Sequence, residues 1–157
     1  MDKKVLVVYY SRTGTTKKVA QAISSKLNCE TEEILDVRSR MGLFGWLRSG
    51  AEGVKEKLAE IQGMKKDPSL YDIVILGTPV WASKMSSPLR TYITKHKQRF
   101  KQVVFFVVSG GVLESNLMID GLENLCGKKS LAVFKATMAE VKSGQFADRL
   151  QEFVSKI

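Results

Sequence analysis

Four short runs of apolar, mostly β-branched or aromatic residues do most to limit what this chain can fold into. They are Val5 to Tyr10, Ile73 to Leu76, Val103 to Val108 and Leu131 to Ala136. Each is nearly continuous rather than alternating, the pattern of a strand buried on both faces. Strands of that kind need helices above and below them. The intervening sequence supplies the spacings: Val19, Ile23 and Leu27; Val54, Leu58 and Ile61; Leu89, Tyr92, Ile93 and Phe100; Met118, Leu122 and Leu125; and Phe146, Leu150, Phe153, Val154 and Ile157. Each set reads as the core-facing side of a helix. A fifth segment, Glu30 to Val37, is more polar and suits an edge strand. Strands alternating with helices imply βαβ units, a mostly parallel sheet and right-handed crossovers. The expectation is one α/β domain over residues 1–157, with five strands and five helices.

The bulk numbers bound the function. With 44% hydrophobic residues the chain can bury a real core, and no apolar run approaches the ~20 residues of a membrane span. Met1 to Tyr10 is too short and too β-branched for a signal peptide, so the cytoplasm is the expected location. Cys29 and Cys126 form no CxxC, and the single histidine, His96, cannot build a zinc cluster; both cysteines read as small core residues. The formal net charge is +9, with the basic residues spread along the chain. No basic block with interleaved aromatics marks a nucleic-acid tract, so no nucleic-acid partner is expected. The longest irregular piece, Arg38 to Gly53, holds four glycines and Met41, Leu43, Phe44, Trp46 and Leu47. It reads either as a connection packed on the sheet edge or as a lid or docking element.

Ligands of open α/β sheets bind outside the carboxyl ends of the strands, where strand order reverses. Three loops follow the central strands there. The first is Ser11-Arg12-Thr13-Gly14-Thr15-Thr16. Its glycine permits a tight turn, its hydroxyls are neutral donors, and the helix that begins there directs free N–H groups at the loop. One hydroxyl would satisfy a plain helix cap; four around one glycine exceed that need. The loop is neither GxxxxGK[ST] nor GxGxxG. The second loop carries Pro79, Val80, Trp81 and Ala82, with Trp81 able to stack on a flat ring or to pack inside. The third, Ser109-Gly110-Gly111, allows close backbone approach to a ligand.

With these three loops in this order, the chain resembles the flavodoxin family across its whole length. The first loop resembles the family's phosphate loop, [TS]-x-T-G-x-T, at every fixed position. Tyr71 to Trp81 resembles the third strand and the first loop over the flavin ring, and Ser109-Gly110-Gly111 falls where the second ring-binding loop begins. The resemblance implies a flavodoxin-like three-layer αβα sandwich with a five-stranded parallel sheet in the order 2-1-3-4-5. It implies noncovalently bound FMN, its phosphate held by Ser11, Thr13, Thr15 and Thr16 with loop N–H groups, Trp81 against one face of the ring, and the segment from Ser109 to about Leu113 along the ring edge. Three features depart from the family pattern. Its members are strongly acidic, whereas this chain is basic. Many carry a glycine after the tryptophan, where Ala82 stands here. No aromatic stands in the short loop after Val108 to cover the second ring face, a place that Phe44 or Trp46 could take. A cation at Lys84 or Arg12 would raise the flavin's reduction potential.

The function implied is electron transfer to a redox partner protein or a small-molecule acceptor. The alternative is an FMN-dependent oxidoreductase on the same fold, of the quinone reductase or protoporphyrinogen oxidase kind. A response regulator would need clustered aspartates at the strand ends, and a low-molecular-weight phosphatase a cysteine in the first loop; neither is present.

Overall fold

The computed structural model describes residues 2–111 and 116–157. Its sheet runs through β1 (Val5–Tyr9), β2 (Glu30–Glu33), β3 (Ile73–Trp81), β5 (Gln102–Ser109) and β6 (Ser130–Thr137), in the spatial order β2-β1-β3-β5-β6, all parallel. A two-residue strand, β4 (Lys84–Met85), pairs antiparallel with the end of β3 and stands off this path. With the hairpin strand set aside, this is the expected order, and the sheet carries six strands rather than five.

Alternate residues of each strand feed opposite layers. Leu6, Val8, Val74, Leu76, Phe105 and Val107 face α3 (Ser87–His96) and α4 (Asn116–Cys126), meeting Leu89, Tyr92, Ile93, Met118 and Leu122. Val7, Ile73, Ile75, Val104 and Phe106 face α1 (Thr15–Leu27), α5 (Met138–Ser143) and α6 (Ala147–Val154), meeting Val19, Ile23, Val141, Leu150 and Phe153. This two-sided burial is what the unbroken apolar runs require. Cys29 and Cys126 are free thiols; burial pushes the Cys126 thiol up to about 12, as suits a small core residue.

The sequence expectation fails in four places. Arg38 to Gly53 is not an irregular piece: most of it forms α2 (Gly42–Lys55). The helix does not continue to Leu58 and Ile61. It stops at Lys55, Glu56 takes a left-handed φ of 53°, and Ile61 forms an isolated antiparallel bridge with Asp36. Thr91 then pins this segment, its Oγ1 accepting from the Ala59 N–H at 2.8 Å. Lastly, the edge strand is only four residues long, and the C-terminal region makes two helices. The extra one, α5, starts at a capping box in which Thr137 Oγ1 accepts from the Glu140 N–H and Glu140 accepts from the Thr137 N–H.

Candidate functional site

The carboxyl ends of β1, β3 and β5 border a cavity of about 510 Å³. It lies where the chain winds outward from β1 to either side, the switch point of the sheet. Its volume falls in the range of small-molecule pockets, roughly 300–1,000 Å³.

At one end is the loop after β1. Gly14 has φ +97°, a left-handed conformation that side-chain-bearing residues adopt at a cost. This turn brings Ser11 under the start of α1, where its Oγ accepts from the N–H groups of Gly14 (3.1 Å) and Lys17 (3.2 Å). The first N–H groups of a helix have no acceptor within it. Ser11 serves Lys17, so the N–H groups of Thr15 and Thr16 remain at the helix start, and both residues line the cavity with Ser11, Arg12 and Thr13. Gly14 shapes the turn without lining the cavity itself. The Ser11 hydroxyl, accepting twice, still has its own proton to donate.

The middle is walled by the β3–β4 hairpin. What the sequence reads as a loop is strand up to Trp81, closed by a two-residue turn at Ala82 and Ser83, with φ of 49° and 60°. Positive φ at both central residues is the hairpin turn that normally takes Asn-Gly, so Ala-Ser hides it from a sequence reading. Thr78, fully buried, ties the hairpin together: its Oγ1 accepts from the Ser86 N–H at 2.9 Å and lies 3.0 Å from Ser86 Oγ. Pro79, Val80, Trp81 and Ala82 all line the cavity.

Trp81 is almost buried. Its ring meets Tyr10 edge-on at 5.5 Å, and the Arg40 guanidinium lies 4.9 Å from its centroid. Arg40 is itself buried, paired with Asp36 and, at 2.6 Å, with Glu52 of α2. Burial pushes the Tyr10 phenol up to about 12, against the pull of Arg40. The tryptophan is thus both packed and at the site, the two readings its sequence context leaves open.

The third loop contributes less. Gly110 lines the cavity; Ser109 is buried and Gly111 exposed, and neither lines it. Val112 and Leu113, the expected continuation along the ring edge, lie outside the described residues. The sequence reading misses Ser49, Gly50 and Ala51 of α2, Val108 and Met138, all part of the lining. Trp46 is there too, as the sequence suggests for one of its two aromatics; Phe44 is not. An amphipathic helix with a small-residue stripe could have been sought in Arg38 to Gly53, but its glycines conceal it.

Among the described residues, the lining holds one charge, the Arg12 guanidinium, and no carboxylate. Arg12 Nη1 donates to the Arg40 carbonyl at 3.2 Å, which steadies it beside the helix start. Lys84 is instead drawn off to Glu56, and Lys17 pairs with Glu33 at 2.8 Å. The cavity therefore offers N–H groups, hydroxyls and one cation to an anion at one end, and two tryptophans to an apolar plane at the other.

A family model described as flavodoxin matches residues 4–137. Among solved structures, the chain is similar to a flavoprotein of Lactobacillus acidophilus in complex with FMN (TM-score 0.74, 24% identity, 90% of this chain and 97% of that one). It is also similar to the flavodoxin of Megasphaera elsdenii (TM-score 0.62, 16% identity, 98% and 99%). A third is general stress protein 14 of Treponema denticola in complex with FMN (TM-score 0.58, 11% identity, 97% and 96%). These identities are low, and the likenesses show a shared fold. By the family match, which covers both the phosphate-type loop and the tryptophan hairpin, the chain belongs to the flavodoxin family.

Proposed function

We propose that this chain binds FMN in the cavity at the strand ends and works as an electron-transfer flavoprotein. One observation carries the reading: a single cavity joins an anion-ready helix start to a wall containing Trp81 and Trp46. The bound flavin would supply the redox chemistry; the protein supplies position and field. The N–H groups of Thr15 and Thr16, the hydroxyls of Ser11 and Thr13 and the Arg12 guanidinium would hold the phosphate. Trp81 would back one side of the ring, held in place by Arg40 and Tyr10, and Gly110 would let β5 approach the ring edge. Trp46 would close the side that no aromatic of the short loop after Val108 covers. Membership of the flavodoxin family, and FMN in two of the similar structures, support the same reading. The electron acceptor would be a redox partner protein or a small molecule.

The test is an absorbance spectrum of purified protein incubated with FMN and freed of excess, followed by a reductive titration. Stoichiometric retained flavin, with weaker retention in Thr13→Ala and Thr15→Pro, is the expected result. A protein that retains no added FMN would overturn the proposal.

A second reading, an FMN-dependent oxidoreductase, is favoured by one observation. Helix α2 extends the cavity with an apolar wall of Trp46, Leu47 and Ala51, room suited to a flat acceptor such as a quinone or a porphyrinogen-type donor. Rapid single-turnover reaction of flavin-loaded protein with these compounds, without a partner protein, would separate the enzyme from the carrier.

A further inference from the structure

Helix α2 is built inside out. Its inward side is small or polar: Gly45 presses on the Arg40 backbone, Ser49 is buried with its hydroxyl donating to the Gly45 carbonyl, and Glu52 reaches the buried Arg40. Its outward side is apolar. Leu43, Leu47 and Val54 follow one another at spacings of four and seven, one stripe of a helix, with Phe44 beside it and Met41 just before the first turn. Leu43 is 69% exposed, Phe44 87%, Met41 64% and Val54 64%. Leu47 also lines the flavin-type cavity, but Met41, Leu43, Phe44 and Val54 do not, so no ligand in that cavity accounts for them. Large apolar side chains concentrated this way mark an interaction surface.

The charges around the stripe indicate what covers it. Between positions 38 and 57 stand five basic residues and two acidic ones. Both acidic side chains are already engaged, Glu52 by Arg40 and Arg48, and Glu56 by Lys84. Arg38, Lys55 and Lys57 are exposed at the two ends of the helix. An outward apolar ridge of Leu and Phe, flanked by free cations on a chain of net charge +9, is the composition of a helix lying in a lipid interface. No helix among the described residues is long and apolar enough to cross a membrane, so the association is at the surface.

We propose that the outward stripe of α2, centred on Leu43 and Phe44, docks this protein on an anionic lipid surface. Docked this way, the helix that walls the cavity also faces the bilayer, and the cavity mouth opens near membrane-dissolved molecules.

The test is co-sedimentation of the full chain, incubated with FMN, with vesicles of phosphatidylcholine alone or mixed with phosphatidylglycerol. The expected result is binding to the anionic vesicles that weakens with added salt, is much poorer on phosphatidylcholine, and falls about tenfold or more in Leu43→Gln/Phe44→Gln. That variant leaves the cavity lining intact, so far-UV circular dichroism and FMN uptake should match the parent. Absence of binding to anionic vesicles overturns the proposal, as does binding undiminished in the variant. A concentration-dependent dimer that the variant dissolves would overturn it in favour of a second copy on the stripe, and retention only by an acidic protein would do so in favour of a protein partner. Flavin uptake is read separately, so loss of that reading would be recognised on its own.

Discussion

Glycines carry two different duties in this chain, and one shows where single-residue reading stops. Gly14 is needed for its φ, and its motif announces it. Gly77 is needed for space: a Cβ there would lie 1.9 Å from Cζ of Phe106, a ring with no exposed surface. Nothing in the local sequence around Gly77 marks this, because the ring arrives from β5, the neighbouring strand, 29 positions along the chain. Gly77→Ala must displace the buried Phe106 ring, so it should destabilise by about 1–3 kcal/mol. Urea unfolding would show a lower midpoint with an unchanged slope; a midpoint equal to the parent's would mean that the ring has room to move. Arg40 is hidden in the same way. As sequence it is one of many scattered cations, whereas in the fold it is buried under Trp81.

At the scale of elements, the strands were legible because burial on both faces leaves an unbroken apolar signature. The phosphate-type loop was legible because its chemistry is local. Helix α2 was not. Its glycines depress helix propensity, and one of them, Gly45, is there because the Arg40 backbone would lie 2.1 Å from a Cβ. The i, i+4, i+7 pattern of Val54, Leu58 and Ile61 is not a helix face, since the helix has ended by Lys55. Helix α2 is held instead by ions that a pattern of apolar residues cannot reveal: Arg40 joins Asp36, ahead of the helix, to Glu52 within it. Removing the cation would leave two carboxylates facing a buried space. Arg40→Leu should therefore cost about 3 kcal/mol or more, and Asp36→Asn with Glu52→Gln should recover part of that loss in the triple variant. Near-ultraviolet circular dichroism would follow Trp81, which loses the guanidinium on its face. A triple variant no more stable than the single one would show that shape, not charge, secures the helix.

For the molecule as a whole, the question is how a net charge of +9 acts on a redox centre. The total is a poor guide, because most of the cations near the cavity are answered locally: Lys17 by Glu33, Lys84 by Glu56, Arg48 and Arg40 by Glu52. What remains in the cavity lining, among the described residues, is Arg12, whose guanidinium donates to the Arg40 carbonyl. The sequence suggested Lys84 or Arg12 as the charge that tunes the flavin, and the ion pairs favour Arg12. A positive charge in the same cavity lowers the energy of added electrons, and the effect falls with distance from the ring, so Arg12 acts from the phosphate end. Unit charges interact by a few kcal/mol at short range in a protein of moderate effective dielectric, less where solvent screens them. With Arg12 only half-buried, Arg12→Gln should lower the reduction potential of bound FMN by tens of millivolts, on the order of 1 kcal/mol. Lys84→Gln should change it much less, since that side chain is paired with Glu56 and lies outside the lining. Titration of each flavin-loaded variant against a dye of known potential reads both values. If Lys84→Gln moved the potential as far as Arg12→Gln, the overall field of a basic protein, rather than one placed guanidinium, would set the flavin's energy.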